Sequence, residues 1–202
     1  MRGIGIALVI CSILASIAFA GMNENAKVAI HVMDYNAKRS CTKYFPAIES
    51  CSDIVTTIPD TDVHFFPVFF DFVEIQGLEY GVTWEGGSCS FTPCTDFVIG
   101  SMENSGDGIS QTWTTCKQTF AVIPGFGWIT SNGLISIVPH PSYGGPNITS
   151  CDRTAEGGPP AELDSIPPES RGYAGTNGLQ GCDPCSLSVE STTWGQIKAL
   201  FR

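Results

Sequence analysis

Basic residues are scarce in this chain of 202 residues. It has ten Lys and Arg against twenty Asp and Glu, which gives a formal net charge of −10. Between positions 44 and 150 the only basic residue is Lys117. Such a surface repels phosphate backbones and anionic lipid headgroups, so we expect no nucleic-acid partner. The acidity is typical of a solubilising surface, and a cation site built from some of these carboxylates is the alternative.

Motifs of catalysis are also missing. There are three histidines, His31, His64 and His140, and no nucleophile elbow, zinc-protease helix, phosphate-binding loop or dinucleotide fingerprint. The sequence therefore predicts no catalytic residue, no metal site and no cofactor, and an enzyme is the less favoured interpretation. The alternative is a secreted hydrolase whose site assembles from histidines and Asp or Glu residues. That alternative requires a cleft in which a histidine meets a carboxylate.

Long apolar runs are confined to the amino terminus. Arg2, the apolar stretch 4–18 and the small-residue site at 18–20 together have the pattern of a secretory signal peptide. The run is too short for a comfortable membrane span, which needs about 20 residues. We therefore predict that residues 1–20 are removed and that the protein is secreted, through a periplasm, to the cell surface or the exterior.

The composition divides the remainder into a body and a tail. Residues 21–152 alternate short apolar runs with turn residues, whereas residues 153–186 are rich in glycine and proline without a period. That second composition is typical of a linker. The sequence predicts one domain at 21–152, a linker at 153–186 and a C-terminal tail at 187–202.

Short strands dominate the body. In the stretch 78–84, Leu78, Tyr80, Val82 and Trp84 alternate with other residues, which predicts a half-buried strand, and a phase slip at Gln76-Gly77 predicts a bulge. Further candidate strands lie at 27–33, 54–58, 63–72, 96–99, 109–114, 119–123 and 134–138, with Asn132-Gly133 among the breakers. We predict an all-β protein, an antiparallel β-sandwich of immunoglobulin-like or jelly-roll type.

Five phenylalanines make the region 65–72 the most apolar part of the body. Because they fall on both faces of a strand, the segment is either a strand covered on both sides or an exposed adhesive surface. Soluble proteins rarely leave so large a patch uncovered, so we expect core. Pro67 favours an edge or a bulge within it.

Eight cysteines follow the predicted signal peptide, and exported cysteines in an even number predict disulfides. They allow 105 pairings. Proximity favours Cys41 with Cys51, Cys89 with Cys94, Cys116 with Cys151 and Cys182 with Cys185. The spacing of Cys182 and Cys185 also occurs in redox and zinc sites, but a local structural disulfide is the favoured interpretation.

Four stretches carry a resemblance to known proteins: 77–84, 91–94 together with 106–116, 125–141, and the ending Thr192-Thr193-Trp194-Gly195-Gln196-Ile197-Lys198-Ala199-Leu200-Phe201-Arg202. They resemble uncharacterised secreted proteins of uncultivated Gram-negative bacteria. The chain is similar, more loosely, to cohesin-like and carbohydrate-binding-like β-sandwiches. The first resemblance implies no known activity, and the second implies a fold without fixing a function.

The favoured function is a secreted or cell-surface module for binding, adhesion or structure, with an extracellular protein or glycan as its ligand. Aromatic side chains are the expected contacts with that ligand, namely Trp113, Trp128 and Tyr143.

The last eleven residues predict a short amphipathic helix. Thr193 and Gln196 have the spacing of a capping box. Its apolar face would carry Trp194, Ile197, Leu200 and Phe201. Such a helix fits a docking or sorting signal read by an export or anchoring machine, and packing against the domain is the equal alternative.

Overall fold

The computed structural model describes residues 21–36 and 38–185. Its strands are β1 (Lys27–Asp34), β2 (Asp62–Phe70), β3 (Ile75–Pro93), β4 (Phe97–Gly100), β5 (Gly108–Lys117), β6 (Ala121–Val122), β7 (Gly125–Val138), β8 (Asn147–Thr149), β9 (Leu163–Ser165) and β10 (Tyr173–Gly175). The helices in these residues are three-residue 3-10 turns at Cys51–Asp53, Thr154–Glu156 and Pro168–Ser170. The all-β prediction is confirmed, whereas the immunoglobulin-like or jelly-roll topology stays a prediction.

All ten strands belong to one antiparallel hydrogen-bonded network. The main path runs β1-β2-β7-β3-β5-β4, with β10 beside β7, β6 beside β2, and β8 and β9 extending from β3. Strand β3 is 19 residues long; its first part pairs with β5 and β8, and its second part pairs with β7. We call β4, β5, the first part of β3, β8 and β9 the β3 layer. In the described residues no helix is long and apolar enough to cross a membrane.

The main core lies where β2 faces the β3 layer. Leu78, Tyr80, Val82 and Trp84 are all buried, as their alternation predicts. The rings of Phe69 on β2 and Tyr80 on β3 meet edge to face at 5.2 Å between centroids. The phase slip predicted before this stretch is present as a register shift between Ile75 and Gly77.

Strand β2 is buried on both faces, and the prediction that its phenylalanines are core is confirmed. Phe65 and Phe69 belong to the main core, while Phe66 and Phe70 belong to a second apolar cluster on the opposite face. Pro67 pairs with Ile30 of β1 on one edge. On the other edge it falls between the residues paired with β7 and those paired with β6. A proline lacks the N–H that a strand residue normally donates. It is tolerated there because no described strand pairs with Pro67 on that edge.

Residues 38–58, which we call the cover segment, close the second apolar cluster. Phe45, Ile48 and Ile54 pack against this cluster, and the Phe45 and Phe66 rings meet edge to face at 5.5 Å. The strand predicted at 54–58 does not form. Its backbone instead makes separate hydrogen bonds to two strands, such as Val32 N–H to Val55 O at 2.8 Å and Gly175 N–H to Thr56 O at 2.8 Å.

The linker predicted at 153–186 needs correction, because residues 153–185 are part of the domain. They contribute β9 and β10, and Ile166 and Ala174 lie in the main core. The buried Thr176 hydroxyl lies 2.9 Å from the carbonyl oxygens of both Ser131 and Gly133, and its single proton is shared between these two acceptors. Glycine and proline here shape a tightly packed irregular segment, which has the same composition as a linker.

Three disulfides join the described residues: Cys41–Cys94, Cys51–Cys185 and Cys116–Cys151. The prediction for Cys116–Cys151 is confirmed. The pairings Cys41–Cys51, Cys89–Cys94 and Cys182–Cys185 are wrong. The two cysteines of the cover segment bond instead to Cys94 and Cys185, which lie far from them along the chain. Cys89 and Cys182 have no disulfide partner, so the prediction that all eight cysteines are bonded is also wrong.

The two unpaired cysteines should differ strongly in reactivity. Burial raises the pKa of the Cys89 thiol to about 12, which makes its thiolate fraction at pH 8 on the order of 10³ lower than that of an ordinary cysteine. In protein lacking residues 1–20, we expect iodoacetamide to label Cys182 alone in the native state and both thiols in denaturant, as read by peptide mass spectrometry. Equal native rates, or no free thiol in denaturant, would contradict this assignment.

Candidate functional site

A row of five residues crosses the outer face of the β3 layer. Strand registers place Leu163 beside Thr149, Thr149 beside Gly77, Gly77 beside Thr112, and Thr112 beside Phe97. Directly paired residues of neighbouring strands point to the same side of a sheet. The row therefore places two large exposed side chains, Leu163 at 59% and Phe97 at 63%, at either end of three smaller residues.

Gly77 makes the centre of this row a depression. A Cβ atom built on Gly77 would lie 3.3 Å from Thr149 Cβ and 3.4 Å from Thr112 Cγ2, so the two threonines close in on either side of the bare backbone. The result is a cleft of about 390 Å³. It is lined by Gln76, Gly77, Phe97, Thr112, Trp113, Thr114, Thr149, Ser150 and Ala161. This volume is within the usual range of small-ligand sites.

The polar groups of the cleft are neutral and partly unpartnered. No hydroxyl hydrogen bond is made by Thr112 or Thr149 within the described residues, so both can donate and accept. Gln76 accepts a hydrogen bond from Asp152 N–H at 3.3 Å through its side-chain oxygen, which leaves its amide hydrogens to donate. Hydroxyl and carboxamide groups beside an apolar wall suit a ligand that is itself neutral and rich in hydroxyls.

One carboxylate lies near the rim. Asp96 Oδ2 accepts from Thr114 N–H at 2.6 Å and from the Thr114 hydroxyl at 2.8 Å, and these bonds hold the pKa of Asp96 below its usual value. Asp96 is thus ionised at neutral pH and already hydrogen-bonded on one oxygen. A negative charge at this position disfavours an anionic ligand.

The three predicted aromatic contacts do not form one site. Trp113 lines the cleft, but its side chain points mainly into the core and is only 7% exposed. Trp128 is half-buried on β7, where it lies 5.6 Å from the Tyr35 ring. Tyr143 is 60% exposed in the loop after β7 and stacks on His140 at 4.6 Å. Of the three, the structure brings Trp113 alone to the cleft.

None of the three histidines contacts a carboxylate through a hydrogen bond in the described residues. His31 Nδ1 accepts from Val55 N–H at 3.0 Å, and His140 Nδ1 accepts from Ser142 N–H at 3.1 Å. The His64 nitrogens face the backbone oxygens of Asn36 and Gly127. All three rings are buried. The hydrolase alternative stays a prediction.

One group of three side chains brings possible metal-ligating atoms close together. Atoms of Glu74, Cys116 and Cys151 lie within 4.8 Å of one another. The two sulfurs are bonded to each other, so neither is available as a thiolate ligand. Glu74 Oε2 instead accepts from Arg153 Nη2 at 2.7 Å, and this guanidinium holds the pKa of Glu74 below its usual value. The cluster is a partly buried ion pair, with Glu74 buried and Arg153 partly exposed, beside a disulfide.

The predicted C-terminal helix, with Trp194, Ile197, Leu200 and Phe201, lies outside the described residues. Its role in sorting or docking through an export or anchoring machine stays a prediction.

Comparison with protein-family models, with curated proteins and with solved structures found no match. The resemblance to secreted bacterial proteins and to carbohydrate-binding-like sandwiches therefore stays a prediction. The function has to be argued from the geometry of the cleft.

Sequence reasoning missed most of the cleft. The sequence predicts a strand at Phe97 but no role in binding, and it predicts a bulge at Gln76-Gly77 but no cleft. The threonines carry no signal by themselves in a β-rich chain, in which threonine is a common strand residue. Only the registers of the strands show that Thr149, Gly77 and Thr112 are neighbours.

Proposed function

We propose that this protein is an extracellular binding module that holds a neutral carbohydrate in the cleft of the β3 layer. The observation that carries the proposal is the row across the outer sheet face. It has a depression at Gly77 between two threonine hydroxyls that lack a hydrogen-bond partner among the described residues, and the exposed Phe97 ring at its end. An aromatic wall beside convergent hydrogen-bonding groups matches the two kinds of surface, apolar C–H faces and hydroxyl edges, that a sugar ring presents.

Charge supports a neutral sugar over an acidic one. The chain carries a formal net charge of −10, and Asp96 beside the cleft is ionised at neutral pH. An anionic glycan, like a nucleic acid, would meet repulsion from the surface as a whole and from this carboxylate in particular.

The proposed location is extracellular. Three disulfides are consistent with an oxidising compartment, and residues 1–20 have the pattern of a signal peptide. We also propose that the packed strands form a two-layer β-sandwich, with the cleft on the outer face of one layer.

A glycan array followed by titration calorimetry tests the function. We expect binding to neutral glycans, and we expect Phe97→Ala to weaken it about fivefold or more, since truncating a key aromatic contact costs over about 1 kcal/mol. Thr149→Val keeps the shape of the side chain but removes a hydroxyl, and should also weaken binding. Each variant needs an unchanged melting curve.

Tyr143→Ala is the matched control, because it removes an equally exposed aromatic ring outside the cleft. It should leave the affinity unchanged. If Tyr143→Ala abolishes binding while Phe97→Ala does not, the site is elsewhere. If no neutral glycan binds and a protein is captured through the same residues, the carbohydrate proposal fails.

A further inference from the structure

The free edge of the sheet is apolar. Strand β4 ends the main strand path, and in the described residues its outer edge has no strand partner. All four of its residues are exposed, including Phe97 at 63%, Val98 at 36% and Ile99 at 72%. Natural proteins usually protect such an edge with charge, proline or a covering loop, because an unpaired edge can pair with another chain.

We propose that β4 pairs with β4 of a second copy in an antiparallel arrangement, so that the two β3 layers form one continuous sheet. This inference goes beyond the proposed carbohydrate binding and does not depend on it. The partner is a second copy of this chain because the residues of β4 can pair favourably with those of another β4 on both faces of the sheet.

Phe97 and Ile99 lie on the outer face, the same side as their partners Thr112 and Ser110 on β5. Val98 lies on the other face and lines a smaller cavity of about 230 Å³. Both copies present the same face when a two-fold axis runs perpendicular to the sheet, and centring that axis on the apolar residues 97–99 places it beside Val98. Phe97 of each copy then stands opposite Ile99 of the other, and the two Val98 residues stand opposite each other.

These pairs are favourable ones. An aromatic residue opposite a β-branched residue stabilises antiparallel strands. The same register places Asp96 opposite Gly100 of the second copy, so the nearest acidic residue of one strand does not face its own copy. The pairing also brings the two clefts to the same side of the sheet, with their Phe97 walls next to the axis, so that one dimer carries two binding sites on one face.

The association should be weak and should depend on salt. Four residues on each side make a contact at or below the small end of specific interfaces, so we expect a dissociation constant of about 10 μM to 1 mM. Because each copy is strongly acidic, raising the salt concentration should strengthen dimerisation by screening the repulsion.

Sedimentation equilibrium of the full chain without residues 1–20, at about 5 μM to 1 mM in low and high salt, measures this association. Val98→Lys and Ile99→Lys should each reduce it at least tenfold by placing charges at the pairing edge. Val73→Lys is the matched control, since Val73 is 61% exposed, lies outside β4 and receives the same charge. A monomer at every concentration in both salts, or equal effects of all three variants, would overturn the proposal.

Cysteine cross-linking tests the register. In a Cys89→Ala, Cys182→Ala background, Val98→Cys should form a covalent dimer under mild oxidation, because directly opposed residues have Cα atoms about 4.5 to 5.5 Å apart. Ile99→Cys faces Phe97 of the second copy and should cross-link far more slowly. Equal cross-linking of the two variants, or faster cross-linking of Ile99→Cys, would rule out this two-fold pairing. Neither result affects the glycan titration, which is performed at concentrations where the protein is monomeric.

Discussion

Replacing Cys51 and Cys185 together with serine is expected to lower the free energy of unfolding by about 4 to 5 kcal/mol. These cysteines are separated by 134 residues, and cross-linking a longer loop removes more conformational entropy from the unfolded chain. The same change at Cys116 and Cys151, which are separated by 35 residues, should cost about 3 to 4 kcal/mol. Guanidinium titration at neutral pH measures both differences.

The effect of the first disulfide also has a local part. Cys51 and Cys185 both pack at the edge of the second apolar cluster, so losing their bond loosens the cover segment over Phe66 and Phe70. Cys182→Ser is the matched control, three residues before Cys185. Because Cys182 is unpaired, its replacement should change stability by less than about 0.5 kcal/mol. A large loss in this control would instead indicate a Cys182–Cys185 bond.

The second large effect is a loss of stability in mild acid. His31 is 4% exposed, and its burial lowers its pKa to about 4. The Asp53 backbone opposes this shift and the charge of Arg39 adds to it. Because the folded protein keeps His31 neutral while the unfolded chain protonates near pH 6.5, the unfolded state binds more protons between these two values.

Stability should therefore fall as the pH is lowered from about 6.5 towards 4, by up to about 3 kcal/mol from His31 alone. Burial also lowers the pKa of His64, which adds to the loss in the same direction. Asp183 acts in the opposite direction near pH 4, because burial raises its pKa. Carboxylates with lowered pKa values, such as Asp53, lose their contribution only at still lower pH.

Urea titrations at pH 7.0, 6.0, 5.0 and 4.5 measure the slope. His31→Asn retains a side-chain acceptor for Val55 N–H but does not titrate, so its stability should depend less steeply on pH. The comparison rests on the slope, since the smaller side chain also lowers stability at every pH. Parallel curves for the variant and the original protein would show that His31 titrates alike in both states.

Periodicity in the sequence predicted the strands that are amphipathic. The alternation from Leu78 to Trp84 is informative because one face of that strand meets the core and the other does not. The break predicted at Asn132-Gly133 is wrong, since β7 continues through this dipeptide. The backbone there stays extended because Thr176 binds the carbonyl oxygens of Ser131 and Gly133, a long-range contact that local turn preference cannot show.

The disulfide pairings and the cleft could not be predicted from the sequence for the same reason. Both depend on which distant segments become neighbours, and a sequence shows neighbours only along the chain. Cys51 bonds to Cys185 across nearly the whole described domain, and Thr149 lies beside Gly77 only through the pairing of β8 with β3. Composition could indicate that cysteines form disulfides, but it could not supply the pairings or the strand register.

The order of strands in the network also affects the rate of folding. Strand β7, residues 125–138, stands between β2 and β3, which precede it in the chain, and later receives β10. The two earlier strands are joined by a few residues yet do not pair with each other along the main path. Loop-closure entropy must therefore be overcome before the central pairings form, which makes folding slow. Until residue 138 is available, the chain cannot complete its sheet, so the first two-thirds of the protein remains without its central strand.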